Sequence, residues 1–177
     1  MKKSLTKNLI LCALFAALTA VFSQIVVPIG PVPINLATLA VFIAGGLLGA
    51  KYGTISQVVF VMLGLIGAPV FAGFHGGIGA VFGKTGGYIL GYILAAFLVG
   101  IISQKAKLTQ KILLPIAMLV GLLACYILGT AWFMLVTGLG LWTSLVYCVF
   151  PFIFGDILKI ALATFLVLRL KKVLKNI

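Results

Sequence analysis

The feature that most constrains this chain of 177 residues is a succession of long apolar runs. A helix needs about 20 residues to cross a hydrocarbon core of about 30 Å. Hydrophobic residues make up 64% of the chain and charged residues only 8%, which leaves too little polar surface to cover a water-soluble globule. The chain is therefore predicted to be an all-α integral membrane protein, with a single membrane domain over residues 1–177.

Six transmembrane helices account for the hydropathy pattern. The predicted spans cover residues 9–27, 34–50, 54–70, 86–103, 112–137 and 151–170. The last apolar stretch runs for 30 residues, from 141 to 170, and contains Pro151. Proline suits the first turn of a helix because it has no backbone N–H to donate. We therefore expect a short interfacial helix over residues 141–150, before the sixth span.

Positive charge is concentrated on one side of these spans. Eleven lysines and arginines fall at the termini or in the second and fourth connections, namely Lys2, Lys3, Lys7, Lys51, Lys105, Lys107, Lys111, Arg169, Lys171, Lys172 and Lys175. The opposite side keeps only Lys84. Because cytoplasmic loops carry the excess of lysine and arginine, both termini are predicted to be cytoplasmic. This arrangement is expected of a multi-pass protein of the bacterial plasma membrane.

The net charge of +12 does not by itself indicate nucleic-acid binding. A protein that binds phosphate backbones carries its basic residues on one face of a soluble domain. Here the basic residues flank apolar runs, where they can contact anionic lipid headgroups. Membrane lipid is therefore an expected partner, and nucleic acid is not.

Asp156 is the only acidic residue of the chain, and it falls inside the predicted sixth span. A carboxylate in the membrane is costly unless it is paired or hydrated, so such a residue is a functional-site candidate. Lys159 follows at the i, i+3 spacing and shares its helix face. Two interpretations are open. The pair could be a structural ion pair within the bundle, or it could line an outward-facing polar pocket; we favour the pocket, because a desolvated pair is a poor stabiliser.

A glycine-rich loop is predicted over residues 71–85, on the outer side of the bundle and above Asp156. The sequence GFHGGIGAVFGKTGGY, at 73–88, contains this loop and the start of the fourth span. Glycines permit close backbone approach and leave N–H groups free to donate to a ligand. The loop is therefore a candidate roof for the pocket, although a flexible connection without a ligand is the alternative. A phosphate-binding P-loop is not predicted, because Ile78 stands where the motif requires glycine.

Neither a metal site nor a catalytic site is predicted. His75 is the only histidine, and it has no cysteine or acidic neighbour. Cys12, Cys125 and Cys148 lie inside apolar sequence without metal-ligand spacing, and are expected to be buried apolar residues. A single carboxylate without a second acid, a base or a metal cluster gives little from which to build an enzyme. The chain also lacks a motif that could drive a pump.

Small residues recur every four positions on the first helix. Ala13 and Ala17 form one such row, and Ala16 and Ala20 form another. This pattern lets helices approach closely. Packing within the protein is one interpretation, and a docking face for another membrane subunit is the second.

Three segments carry a family resemblance. They are GPVPINLATLAVFIAGGLLGAKYG (30–53), GLIGAPVFAGFHGGIGAVFGKTGGYILGY (64–92) and PFIFGDILK (151–159). In this order and spacing the chain resembles BioY, the biotin-specific S component of energy-coupling-factor (ECF) transporters. It departs at Asn35 and Ala37, where the family more often has T-L-Q, and at Lys84, where proline is frequent before TGGY.

The resemblance implies a six-helix S component that captures biotin in an outward-facing pocket and needs no cofactor. Uptake would be driven by a transmembrane coupling subunit that carries two ATPase subunits. The alanine rows of the first helix would then be the docking face. An S component for another vitamin, such as thiamin or riboflavin, and a facilitator that works without partners are the alternatives.

The resemblance also implies roles for individual residues in biotin binding. Asp156 would accept a hydrogen bond from a ureido N–H, and Lys159 would donate to the ureido carbonyl or orient Asp156. The remaining predicted ligand-binding residues belong to the loop and the start of the fourth span. Apolar walls are assigned to Phe71, Phe74 and Tyr88, the tail carboxylate to Lys84 or to backbone N–H groups of Gly86, Gly87 and Tyr88, and a further loop position to Gly73.

Overall fold

The computed structural model describes residues 2–28, 31–105 and 110–175. These residues form helices α1 (Lys2–Ser23), α2 (Ala37–Leu65), α3 (Ile78–Val81), α4 (Gly86–Lys105), α5 (Gln110–Thr137), α6 (Leu141–Cys148) and α7 (Ile153–Lys175), with a 3-10 turn at Phe150–Phe152 and strands β1 (Val26–Val27) and β2 (Ile34–Asn35). Lys107, one of the residues in the charge argument, lies outside the described residues. The prediction of a helical membrane protein is confirmed, with one small strand pair added.

Within the described ranges, five helical stretches are long and apolar enough to cross a membrane, namely Leu5–Ser23, Ala37–Leu65, Gly86–Gln104, Lys111–Thr137 and Leu141–Val173. The second stretch is not a straight helix. At Gly49 the backbone leaves the helical conformation, with φ +74° and ψ −174°. A Cβ added to Gly53 would lie 2.9 Å from the Cα of Gly45, although eight residues of straight helix extend about 12 Å. Residues 37–48 and 50–65 are therefore two limbs folded against each other.

The reversal at Gly49 is tighter than the sequence predicts. The expected connection between the second and third spans lay at residues 51–53, next to Lys51. A positive φ is accessible to glycine at little cost, so a single residue turns the chain. The helical conformation resumes at once, and the limbs meet through small residues.

Three helix boundaries differ from the predicted spans, and each makes the helix shorter than expected. The first ends at Ser23 rather than at 27, because Val26–Val27 pairs antiparallel with Ile34–Asn35. The second begins at Ala37 rather than at 34, where the side chain of Asn35 accepts the Ala37 N–H at 3.0 Å. The third ends at Leu65 rather than at 70, because Gly67 follows with φ +103°.

The glycine-rich loop is mostly irregular but contains the single helical turn of α3. Its N-terminal part closes through a bridge between Phe71 and His75. The Gly77 N–H donates to the Gly64 carbonyl at 2.7 Å, which fixes the loop to the end of α2. The expected continuous loop over 71–85 is therefore a folded connection, because these backbone groups find partners within it.

The segment before α7 follows the proline, as the sequence suggests. α6 is a separate short helix, and Pro151 lies in the 3-10 turn that leads into α7. α7 continues to Lys175, five residues beyond the predicted end at 170. Its basic C-terminal residues extend the helix instead of ending it, since lysine and arginine are good helix formers that favour a helix C-terminus.

α4 packs between α2 and α5, whereas α1 and α7 pack against α2. Close approach of α2 and α4 depends on glycine: a Cβ at Gly45 would lie 2.7 Å from the Ala96 carbonyl oxygen. Cys12, Cys125 and Cys148 are buried free thiols, as predicted. One apolar cluster, which includes Phe71 and Tyr88, surrounds the outer part of the bundle, and the site lies within it.

Candidate ligand-binding site

A cavity of about 290 Å³ lies under the glycine-rich loop, at the end of the bundle that this loop covers. This volume is close to the lower end of the range of about 300–1,000 Å³ found for small-molecule sites. Its apolar lining includes Phe60, Phe71, Tyr88, Ile89, Leu122 and Phe152, and its polar lining includes Asn35, Thr38, Tyr92, Tyr126, Asp156 and Lys159. Apolar walls with a few convergent polar groups are typical of a binding site for a small organic ligand.

Asp156 lies at the centre of the polar lining and is only 1% exposed. The ammonium of Lys159 is 2.8 Å from its Oδ1. The hydroxyl of Tyr126 donates to its Oδ2, and that of Thr38 donates to Oδ1 at 3.4 Å. Groups from α2, α5 and α7 thus hold this carboxylate. The ion pair expected from the i, i+3 spacing is confirmed, and both its members face the cavity instead of being sealed in the bundle.

The pair retains unused hydrogen-bonding capacity. A carboxylate has about four acceptor positions, of which three are used at Asp156. An ammonium has three N–H donors, and one of those on Lys159 is directed at Asp156. The cavity wall therefore presents an acceptor next to a donor, which suits a ligand that carries an N–H beside a carbonyl group.

Aromatic rings form a further part of the wall. Phe71 is 3% exposed and makes an edge contact with Phe60, with ring centroids 5.5 Å apart. Phe60 in turn lies 6.3 Å from the ring of Tyr92. The hydroxyl of Tyr88 is 3.0 Å from that of Thr130, so its ring can face the cavity without an unpaired polar group. The structure thus places both Phe71 and Tyr88 on the cavity wall.

Two loop residues are not on that wall. Phe74 is 71% exposed, which corrects the expectation that it forms an apolar wall. Gly73 and Phe74 both have positive φ angles, of 72° and 59°. These angles turn the chain so that His75, and not Phe74, lines the cavity. His75 is held by the Ala72 carbonyl, 2.8 Å from its Nδ1.

Of the groups predicted to meet a tail carboxylate, Tyr88 lines the cavity, whereas Lys84, Gly86 and Gly87 do not. Gly86 and Gly87 pack against Trp132: added Cβ atoms would lie 3.1 Å from its Nε1 and 2.9 Å from its Cγ, respectively. Lys84 lies in an open outer groove that also contains Tyr147. The residues of this segment that do line the cavity are Gly83 and Thr85. The expectation for Lys84, Gly86 and Gly87 is corrected, because helix packing and chain direction turn them away.

The sequence does not predict seven polar residues that line the cavity: Ser23, Asn35, Thr38, His75, Thr85, Tyr92 and Tyr126. Tyr92 follows Tyr88 at the i, i+4 spacing, which places both on one face of α4, and this was a detectable signal. Asn35 was noted only as a departure from the family pattern. Nothing in the sequence pairs Thr38 and Tyr126 with Asp156, because the three come from different helices.

The two alanine rows of α1 have different environments. Ala13 and Ala17 are exposed, whereas Ala16 is 1% exposed and Ala20 packs against the outer apolar cluster. Ala16 therefore packs within the protein, and Ala20 is partly covered. The exposed row remains available to a partner.

Comparisons with known proteins identify related chains. The chain is 41% identical to the probable biotin transporter BioY of Pyrococcus horikoshii, over 93% of this chain and 96% of the relative. It is 38% identical to the biotin transporter BioY of Thermotoga maritima, over 94% and 96% of the two chains. A crystal structure of the S-component for biotin from an ECF-type ABC transporter superposes with a TM-score of 0.91, at 35% identity, over 97% of this chain and 94% of that one. The sequence model of the BioY family matches residues 1–176, and the chain thus belongs to that family of multi-pass membrane transport proteins.

Proposed function

We propose that this chain is the S component of an ECF-type transporter and that it captures biotin in the cavity beneath the glycine-rich loop. The observation that carries the proposal is the Asp156–Lys159 pair, which faces a cavity whose other walls are largely apolar. The relatives and the superposable crystal structure are biotin transporters and a biotin S-component. The activity that follows is uptake of biotin, and not an enzymatic reaction.

The chemistry of biotin matches this lining. Its ureido ring has two N–H donors and one carbonyl acceptor, while its thioether ring and tail are apolar. Asp156 accepts a ureido N–H, and Lys159 donates to the ureido carbonyl. Hydrogen bonds to charged groups are worth about 1.5–3 kcal/mol each. With burial of the apolar rings against Phe71 and Tyr88, a few such bonds support nanomolar binding, which requires about −12 kcal/mol in total.

A six-span topology with both termini in the cytoplasm is part of the proposal. It is supported by the reversal at Gly49, which divides α2 into two limbs. The thiol of Cys12 lies 3.2 Å from the Tyr52 carbonyl, so α1 passes beside the residues that follow the turn. Gln104, near the end of α4, approaches Gly49. The basic residues around these positions share one end of the bundle, and the cavity is at the other.

α6 is proposed to lie at the outer interface. One face of this helix is buried, with Ser144 and Cys148, and the other is open, with Trp142 71% exposed. The ring of Trp142 makes an edge contact with that of Phe150, 5.7 Å away. Tryptophan at the end of a membrane bundle is typical of the headgroup region.

The partners proposed for uptake are a transmembrane coupling subunit and two ATPase subunits. The exposed row of Ala13 and Ala17 on α1 supports docking of the coupling subunit, because small side chains let a second helix approach closely. Thiamin or riboflavin as the ligand, and transport without partners, are not favoured, since the similar proteins described above are biotin transporters.

Direct titration of the purified protein tests the proposal. Calorimetry with biotin should give saturable, near-stoichiometric binding, whereas thiamin and riboflavin at the same concentration should give no heat of binding. Tight binding of either other vitamin, or absence of biotin binding to a monodisperse preparation, would refute it.

A further inference from the structure

Gln24, just after the end of α1, makes an unusual set of contacts with the loop. Its Nε2 is within hydrogen-bond distance of three loop carbonyls, those of Pro69, Val70 and Phe71, at 3.4, 3.1 and 3.1 Å. Its Oε1 accepts the Phe74 N–H at 2.8 Å. Acceptors thus surround the amide nitrogen, and a donor faces the amide oxygen, so the orientation of this side chain is well defined.

The contacted backbone, within residues 69–75, is one of the parts of the loop region that line the cavity. Phe71, Ala72 and His75 line the cavity from it. Phe71 is held from below by its edge contact with Phe60. Gln24 contacts the backbone of the same segment, both at Val70 and Phe71 and, further along the chain, at Phe74.

Phe74 shows that this segment depends on the contact. Its φ of 59° is an uncommon conformation for a residue with a side chain, and such conformations persist only where the surroundings fix them. Its side chain is exposed and makes little packing contribution. The hydrogen bond from the Phe74 N–H to Gln24 is therefore one restraint on this turn, together with the bond from the Phe71 N–H to the His75 carbonyl and that from the Ser23 hydroxyl to the Val70 carbonyl.

We propose that Gln24 is a positioning residue that keeps residues 69–75 closed over the cavity and so sets how fast biotin enters and leaves, an inference that rests on the proposed function. Gln24 does not line the cavity within the described part of the chain, so a ligand held in the cavity does not contact it. It therefore stabilises the closed loop equally in the free and the bound protein. A contribution that is equal in two states changes no equilibrium between them. Loss of the contact should accelerate both directions and leave the affinity unchanged.

Gln24→Ala is the first variant to measure, with Gln104→Ala as its matched control. Gln104 is exposed and lies at the far end of the bundle, beside Gly49. Exchange of labelled biotin on the purified protein gives the association and dissociation rate constants. Gln24→Ala should raise both about tenfold, the ratio that about 1.4 kcal/mol produces, with the Kd changed by less than about threefold. Gln104→Ala should match the wild type.

Gln24→Glu supplies a second variant in case the alanine form does not fold. Glutamate keeps an acceptor for the Phe74 N–H. Its second carboxylate oxygen replaces the donor N–H₂ and repels the carbonyl oxygens of residues 69–71, so both rate constants should again rise. Unchanged rate constants would overturn the proposal. A weaker affinity without faster association would also overturn it, because that result indicates a ligand contact or a loss of fold.

Hydrogen–deuterium exchange of the ligand-free protein separates this proposal from the assignment of biotin. In Gln24→Ala, exchange should accelerate at residues 69–75 and stay unchanged in α4 and α5. If the wild type fails to bind biotin, the proposed function fails while this measurement still decides the role of Gln24. Uniformly faster exchange would show a general loss of stability and would overturn the positioning role.

Discussion

Tyr126 and Lys159 hold the two different oxygens of one carboxylate: the hydroxyl donates to Oδ2 of Asp156, and the ammonium lies 2.8 Å from Oδ1. The two groups come from α5 and α7, so the carboxylate links two helices as well as facing the cavity. A buried charge pair of this kind is retained in a membrane at considerable desolvation cost. Its hydrogen-bonding partners and its position on a cavity wall together account for its presence.

Asp156→Asn should weaken biotin binding at least about tenfold and leave the protein extractable in folded form. The amide retains the size of the side chain but removes the negative charge and places an N–H₂ group where an acceptor stood. Calorimetry on the purified variant measures the change. Wild-type affinity in this variant would remove Asp156 from the site.

Tyr126→Phe should weaken biotin binding about three- to tenfold, which corresponds to the loss of one hydrogen bond of about 0.5–1.5 kcal/mol. The ring remains, so the change reports the hydroxyl that orients Asp156. Tyr147→Phe is the matched control, because Tyr147 lies in the outer groove and is 42% exposed. Equal affinities of the two variants would argue against an orienting role for Tyr126.

Lys84→Gln should change the affinity for biotin by less than about twofold, that is by less than about 0.4 kcal/mol. The reason is its position in the outer groove and not on the cavity wall. Lys159→Gln provides the contrast, since it removes the ammonium next to Asp156 and should weaken binding at least about tenfold. A large loss of affinity on changing Lys84 would show that the ligand extends into the groove.

Ala13→Leu combined with Ala17→Leu should block assembly with the coupling subunit and spare biotin binding. Two leucine side chains on the exposed row of α1 prevent close approach of a second helix. Ala131→Leu combined with Ala161→Leu is the control, because both alanines are exposed on other helices. Co-purification of the complex measures assembly, and an intact complex with the α1 variant would refute a docking role for this row.

Gly49→Ala should lower the thermal stability of the purified protein, because a left-handed conformation costs a residue with a Cβ about 1 kcal/mol or more. The added methyl group would also meet the side chain of Gln104. Gly155→Ala is the control: its Cβ meets no atom within 4 Å, and the position is helical. A Gly49 variant as stable as the control would mean that the turn tolerates another conformation.

The class of fold can be predicted from the sequence because it follows from the hydropathy and charge of short segments. Apolar runs and the distribution of lysine identify membrane helices, and Pro151 marks the start of α7. The connection between the second and third spans is predicted at residues 51–53, two residues beyond the observed turn at Gly49. The sequence does not show that a single residue makes the reversal, because such a turn leaves no polar segment to detect.

The site is predicted less completely, for reasons that differ between residues. Asp156 and Lys159 are recognisable because ionisable groups are rare in apolar sequence. Thr38 and Tyr126 contact Asp156 only through the packing of three helices, which no spacing in the sequence reports. Phe74 and Lys84 were assigned to the correct loop but to the wrong side of it, since the direction of each side chain depends on backbone angles at neighbouring positions.

In the proposed six-span topology, the reversal at Gly49 determines the sidedness of everything that follows it. A straight rod over residues 37–65 would be about 43 Å long and would cross the bilayer once. In that topology, turning back at residue 49 adds one crossing and so changes the parity of the chain. Asp156, more than one hundred residues later, then faces the compartment that supplies the vitamin because one dihedral angle has the opposite sign from its neighbours.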